Sequence, residues 1–423
     1  MGGAIHKNEY MQSIFQHIEN NMPDDLDTGL LKNVGYVSCA QLYRDFYSIT
    51  GHTVKEYVRK RRLSNALALM KTSDMGLTDI ALGCGYSSHQ ALCRAVRQTL
   101  SMTPSEYKKN DTYYFFPPWN GEPLQSVIVA GDTIPRALRV LFYHTSLTNI
   151  ENIAVGTFLQ AFPDYNGRIF GRNGEQAGNK LCYELYLTDT GRNYNRLNTY
   201  GFVVTHETPC FTTTFATSTV QNDERKINAA WDYLYSDWLQ NSMFEYPNEL
   251  YYEEYILKNG KPTKLKLYLP IQKRYEDTKI ILISNPGLRF VVSKAKGYNA
   301  EKIASRTVID WLTAHYSYIV RASKEFYLRK EKDSYICGVR VKSGLRIADA
   351  ESIESVGTDQ NNYLVLESRV AGDYGRYADM LLTFARDNGM IADKTGVFMV
   401  YDATGSFDNS RIKMYCPVKI EKN

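Results

Sequence analysis

Residues 77–107 read LTDIALGCGYSSHQALCRAVRQTLSMTPSEY. Leu77–Leu82 forms a short apolar helix and Gly83-Cys84-Gly85 a turn. Ser87 or Ser88 then caps a second helix that runs to about Leu100. Leu92 and Val96 stand four apart in that second helix and share one face, which turns inward. Ser88, His89, Gln90, Cys93 and Arg94 are left outside. Two helices joined by so tight a glycine turn make a helix-turn-helix, whose second helix fits the major groove of DNA.

The pattern also stands earlier in the chain. Leu30–Val34 is the short helix, Gly35-Tyr36 the turn, and Ser38 the cap of a helix over Cys39–Ile49. Leu42 and Phe46 face the core, while Ala40, Gln41, Tyr43 and Arg44 occupy the other faces. Arginine bonds guanine bidentately and glutamine bonds adenine, and either residue can hold a phosphate. Between the two pairs, Val54–Lys71 reads as one helix about 27 Å long at 1.5 Å per residue. Successive major grooves on one DNA face lie about 34–36 Å apart, so one chain can address two of them. Arg59, Lys60, Arg61 and Arg62 place positive charge on most faces of this connector, and Arg61 joins the expected DNA contacts. His52–Asn110 carries ten Lys/Arg against four Asp/Glu in a chain of net charge +4. A local excess of this kind suits phosphate neutralisation, or simply a solvated basic face.

Residues 38–70, SCAQLYRDFYSITGHTVKEYVRKRRLSNALALM, together with 77–109 resemble the AraC/XylS regulator family. The specific part is Ile80-Ala81, Gly85-Tyr86 and Thr103-Pro104-Ser105-Glu106-Tyr107. Val96 departs from the usual Phe of the last helix, and Cys93 is an ordinary small residue. The resemblance implies control of transcription through double-stranded promoter DNA; RNA polymerase is a candidate protein partner for the rest of the chain.

The rest of the chain has a different character. Tyr113–Pro123 holds three prolines and a cluster of aromatics, and residues 111–123 read as a linker that packs against something. From Leu124 onward four units follow, each an extended segment, a helix and two strands. The extended segments are Ser126–Tyr143, Gly201–Thr217, Lys279–Ala295 and Tyr363–Ala371. The helices are Asn149–Phe162, Glu224–Leu239, Ala300–His315 and Gly375–Asp387. The last strands look alike: CYELYL, LKLYLP, ICGVRV and IKMYCP. The expected fold is multidomain. An all-α paired helix-turn-helix domain (1–110) precedes two α+β domains (124–275 and 276–423) built from duplicated βαββ units.

Strand alternation assigns faces. Leu181, Tyr183, Leu185 and Leu187 should pack on a helix, with Glu184 and Tyr186 opposite; Tyr268 falls on the equivalent opposite side of Lys264–Ile271. That Glu/Tyr side is expected to line the space between paired units. Glu253 shares a face with Tyr251 and Tyr255, and a carboxylate among aromatics suits a cationic or polar aromatic ligand. Trp231 and Trp238 are seven apart on one helix face, where core packing is the ordinary role; Trp231 also counts as a ligand contact. Glu254, Glu325 and Glu367 are weaker candidates. NDERKINAAWDYLYSDWLQNS (222–242), YYEEYI and LKLYLPI resemble the GyrI-like effector-binding family. The resemblance implies that a small organic, often cationic, effector binds between two βαββ units.

No run of about 18 apolar residues exists, so no transmembrane helix is expected, and Met1–Lys7 lacks the apolar stretch of a signal peptide. Seven dispersed cysteines without a CxxC pair or metal-ligand spacing suit reduced thiols in a cytoplasm. No catalytic triad, metal set, phosphate loop or cofactor motif appears. A Glu/Tyr pair activating water would make the repeats a small-molecule hydrolase, and a protein-binding role for them is the other alternative. A monomer and a dimer are both compatible with the sequence.

Overall fold

The computed structural model describes residues 2–22, 31, 34–35, 37–119, 125–145, 149–273, 278–342, 350, 352–358, 361–368, 374–402 and 411–419. Leu30, Lys32 and Asn33 of the first expected short helix, Tyr36 of its turn and the 120–123 end of the expected linker lie outside the described residues.

The first 110 residues are helical: α1 (Gly2–Asn20), α2 (Cys39–Thr50), α3 (Val54–Thr72), α4 (Leu77–Gly83), α5 (His89–Leu100) and α6 (Pro104–Lys109). Local chemistry sets their ends. Thr53 and Glu56 form a capping box at the start of α3, and Thr103 and Glu106 form another at α6, where Pro104 takes the first helical position. Gly51 ends α2 at φ 71°, a left-handed geometry that costs glycine little. Leu42, Phe46, Tyr57, Leu67, Leu92 and Val96 are fully buried and form a common core.

Antiparallel sheet follows. β1 (Tyr113–Phe115), β2 (Val127–Ile134) and β3 (Ala137–His144) lead into α7 (Ile150–Ala161). After it come β4 (Ile169–Asn173), β5 (Leu181–Leu187), β6 (Phe202–Thr208) and β7 (Phe211–Gln221). Next are α8 (Glu224–Asp232), continued by a π-wound turn (Tyr233–Trp238), β8 (Phe244–Glu245), β9 (Tyr252–Lys258), β10 (Lys261–Pro270) and β11 (Gln272–Lys273). β8 and β11 make a separate ribbon; the rest form one sheet in the order β1-β2-β7-β10-β9-β4-β5-β3-β6. β12 (Lys279–Ser284), β13 (Arg289–Lys296), α9 (Ala300–Ala322), β14 (Glu325–Lys330) and β15 (Ser334–Val341) open the second half. β16 (Glu354–Gly357), β17 (Asn362–Ser368), α10 (Tyr374–Asp387), β18 (Ile391–Ala392), β19 (Phe398–Asp402) and β20 (Arg411–Lys419) complete it, in the order β12-β17-β20-β19-β14-β15-β13-β16 with β18 on β20.

One arrangement recurs four times. A strand, a helix and two strands lie side by side with the last strand between the other two, as in β4-β5-β3 and β9-β10-β7. The middle strands join the halves: β4 pairs with β9, and β14 with β19.

Two readings need correction. The long segments Ser126–Tyr143, Gly201–Thr217 and Lys279–Ala295 are each two strands. Pro135, Pro209 and Pro286 stand at the breaks, where proline removes a ladder donor. The two strands do not pair with each other. β2 crosses to β7 and β6 to β3, while β12 crosses to β17 and β16 to β13, so each half-sheet is tied to its partner by exchanged strands. The second correction concerns the linker. Tyr113–Phe115 is the edge strand of the first sheet, with Tyr113 opposite Val129.

Candidate nucleic-acid interface and ligand cleft

The two helix-turn-helix pairs present matching faces. Ser38 caps α2 by accepting from the Gln41 amide at 3.2 Å, and Ser88 caps α5 by accepting from the Ala91 amide at 3.3 Å. The second turn is fixed by the Tyr86 amide on the Ala81 carbonyl (2.9 Å) and by Gly85 at φ 76°. On α2, Ala40, Tyr43 and Arg44 are exposed. Gln41 is half-buried and donates to Asp45 at 2.6 Å while accepting from Arg44 at 2.9 Å. Asp45 also takes the Tyr10 hydroxyl, which ties the recognition helix to α1. On α5, Gln90 and Arg94 are exposed, and Ser88, His89 and Cys93 are half-buried. Helical spacing extends these faces to Tyr47 on α2, 58% exposed, and to Arg97 on α5.

A cleft of about 660 Å³ opens on the helix side of the first sheet, between the N-terminal ends of α7 and α8. Glu253 lies in its floor, 8% exposed. One carboxylate oxygen accepts from Trp231 Nε1 at 2.7 Å and the other from the Tyr183 hydroxyl at 2.7 Å. Tyr183 in turn stands 2.7 Å from the Tyr255 hydroxyl, and Trp231 meets Tyr251 edge-on at 5.3 Å. Burial raises the Glu253 carboxyl above its ordinary range, outweighing the two donors that favour the charged form. Gly171 makes room for this network. It sits opposite Glu253 across β4–β9, and a Cβ there would run into the Tyr183 ring and hydroxyl.

A family model described as a helix-turn-helix domain matches residues 35–110. The regulatory protein SoxS of Salmonella typhimurium is 30% identical over 100 residues, covering 24% of this chain and 94% of SoxS. The chain belongs to the AraC family of DNA-binding transcription regulators. The transcriptional regulator Rob of the same organism is 33% identical over 96 residues, 23% of this chain and 32% of Rob. A solved regulator from Chromobacterium violaceum, described as having an AraC-type DNA-binding domain, is 25% identical with a TM-score of 0.23, covering 26% of this chain and 94% of its own.

In this AraC-family regulator the connector's basic residues serve a purpose other than the expected one. Arg61 is 0% exposed and cannot reach DNA. Its Nε and Nη2 donate to the Glu19 carboxylate at 3.0 and 2.9 Å; its Nη1 donates to the carbonyls of Phe116 (2.5 Å) and Asp387 (2.6 Å). The sequence shows four adjacent charges; only tertiary packing shows which one points inward. Arg62 donates to the carbonyls of Met22 (2.8 Å) and Gly85 (2.9 Å), tying the end of α1 to the turn of the second helix-turn-helix pair. Lys60 is pressed against Phe116 and Ser126, and burial lowers its ammonium to about 8.

The expected ligand residues also divide. Trp231, Tyr251 and Glu253 line the cleft, and Tyr255 supports it from behind. Glu184, Tyr186 and Tyr268 face the other side of the sheet. The leucine side packs on helices as expected, but that same side carries the cleft. Glu253 pairs in register with Leu267 and Gly171 and therefore shares their face, while Glu184 follows Tyr183 and points away. Glu184 is held by Arg172 (2.7 Å), Arg139 and the Tyr186 hydroxyl (2.6 Å), and Tyr268 donates to Glu254 at 2.7 Å. Glu325 pairs with Arg340, and Glu367 with Lys279 and Lys413. Tyr183 and Tyr235, which complete the cleft, escaped the sequence reading because tyrosine on a leucine-rich face looks like core. Among the described residues no helix is long and apolar enough to cross a membrane, and no cluster of His, Cys, Asp or Glu is arranged to hold a metal.

Proposed function

We propose that the chain is a ligand-responsive regulator. It binds double-stranded promoter DNA through Ala40, Gln41, Tyr43 and Arg44 on one helix and Ser88, His89, Gln90, Cys93 and Arg94 on the other. A small organic cation binds in the α7–α8 cleft. The observation that carries the ligand reading is Glu253: a carboxylate recessed among Trp231, Tyr183 and Tyr251, with both oxygens oriented by aromatic donors. A cation there gains a charge partner in a low-dielectric site and aromatic faces around it. The GyrI-like resemblance of residues 222–242 supports the same reading.

The test is calorimetric titration of the full chain with benzyltrimethylammonium, an aromatic quaternary cation. Binding that falls at least tenfold in Glu253→Gln supports the site. Equal binding by both proteins rejects it.

A further inference from the structure

The segment that walls the cleft also faces the end of α10, which in turn contacts the DNA-binding module. Trp231 and Tyr235 line the cleft. Tyr233, between them, and Trp238, just beyond, line a separate pocket with Phe115 of β1 and with Phe384 and Asp387 at the end of α10. The backbone between them is π-wound, with the Leu239 amide on the Leu234 carbonyl at 3.0 Å. A π turn carries one residue more per turn than the regular helix, and such turns recur at functional sites.

The far side of this contact is Arg61. Asp387 gives its backbone carbonyl to Arg61 Nη1 at 2.6 Å, and Arg386 holds the Asp387 carboxylate at 2.9 Å. Arg61 lies in α3, the helix that joins the two helix-turn-helix pairs. The next turn of chain is equally close: a Cβ on Gly389 would meet the Asn65 side chain of α3 at 2.6 Å. The junction is tight but imperfectly satisfied. The buried amide oxygens of Asn65 and Asn388 find no hydrogen-bond partner among the described residues.

We infer that Arg61 and the end of α10 form a latch through which the cleft controls the DNA-binding module. This rests on the ligand reading of the cleft. Trp231 donates its indole N–H to Glu253. A cation seated on that carboxylate competes with the donor and displaces Trp231. The displacement passes along the π-wound turn to Tyr233 and Trp238, and from them to Asp387 and Arg61. The last βαββ unit, which has no equivalent of the Glu253 network among its described residues, acts as the clamp and not as a second sensor.

The experiment uses the full chain and a duplex it selects from a randomised pool. DNA affinity is measured by fluorescence anisotropy with and without saturating benzyltrimethylammonium, alongside calorimetric binding of the cation. The wild-type chain is expected to change its DNA affinity at least fivefold, the lower end of ordinary allosteric coupling. Arg61→Met keeps the aliphatic stem and removes the guanidinium. It is expected to bind the cation within twofold of wild type and to change its DNA affinity less than twofold. Full coupling in Arg61→Met overturns the latch while leaving the ligand site standing. No cation binding by the wild-type chain overturns the ligand reading, and the latch with it. Should Arg61→Met fail to fold, hydrogen exchange on the wild-type chain decides: protection of amides 384–390 must change when the cation binds, and unchanged protection overturns the latch.

Discussion

Replacing Glu19 by alanine removes the charge partner of a fully buried guanidinium. Three donors end on that carboxylate: Arg61 Nε, shared between both oxygens at 3.0 and 3.1 Å, Arg61 Nη2 at 2.9 Å and the Tyr57 hydroxyl at 2.5 Å. After the substitution Arg61 retains two carbonyl acceptors and the more distant Asp387 carboxylate, but it loses its salt-bridge partner and two of its donors are unpaired. Breaking a buried pair from one side costs about 3–5 kcal/mol. The Glu19 side chain is 21% exposed, so water reaches its end of the pair and places the expected loss near the lower limit, about 3 kcal/mol. Asp164→Ala is the control. Its side chain is 73% exposed, and its bond to Arg192 at 2.9 Å is a surface pair screened by solvent, so its loss should leave stability nearly unchanged. Urea unfolding of both variants, followed by circular dichroism, compares the two directly. If Glu19→Ala unfolds at the same denaturant concentration as Asp164→Ala, the reasoning about Arg61 is wrong.

Two further outcomes follow from the cleft. Gly171→Ala places a methyl group where the Tyr183 ring and hydroxyl now lie, so it should destabilise the chain by about 1–3 kcal/mol. It should also weaken binding of benzyltrimethylammonium by moving Tyr183 off Glu253, and calorimetry on the folded variant checks this. The pH dependence has a definite sign. The cation needs Glu253 ionised, and burial raises that carboxyl above its ordinary range. Affinity should therefore fall as pH drops through a raised pKa, beginning above the pH at which an exposed glutamate titrates. For the fold alone the sign is opposite: a raised carboxyl favours the native state at low pH and loses that contribution as pH rises through its folded pKa. Titrations between pH 4.5 and 8 should show the affinity loss in wild type and a flat profile in Glu253→Gln.

Much of this was legible in the chain because it is local. Gly85 of the second turn, the Ser38 and Ser88 caps, and the pairs Leu42/Phe46 and Leu92/Val96 are written within one or two helical turns, and the structure places them as read, while Gly35 and Gly83, read as turn residues, are helical. The four helices of the repeats are equally local. Long-range register was not legible. Which face of a strand Glu253 occupies depends on its pairing with Leu267, 14 residues on, and Gly171, 82 residues back, and one step of register reverses the answer. The strand exchange between half-sheets has the same cause, although Pro135, Pro209 and Pro286 did mark where each long segment breaks. Arg61 is the plainest case. Among four consecutive basic residues, its inward direction is set by Glu19, Phe116 and Asp387, and the last of these is 326 positions away.

The central claim is that α2 and α5 read DNA while the connector between them holds the molecule together. The affinity of Arg94→Ala for the selected duplex, measured across a salt series, tests it most directly. The guanidinium is exposed on the outer face of α5, and losing a base or phosphate contact costs about 1–3 kcal/mol, roughly 5- to 150-fold in affinity. The account predicts a loss in that range by a protein whose unfolding midpoint matches wild type. Wild-type affinity in Arg94→Ala across the whole salt series would contradict it.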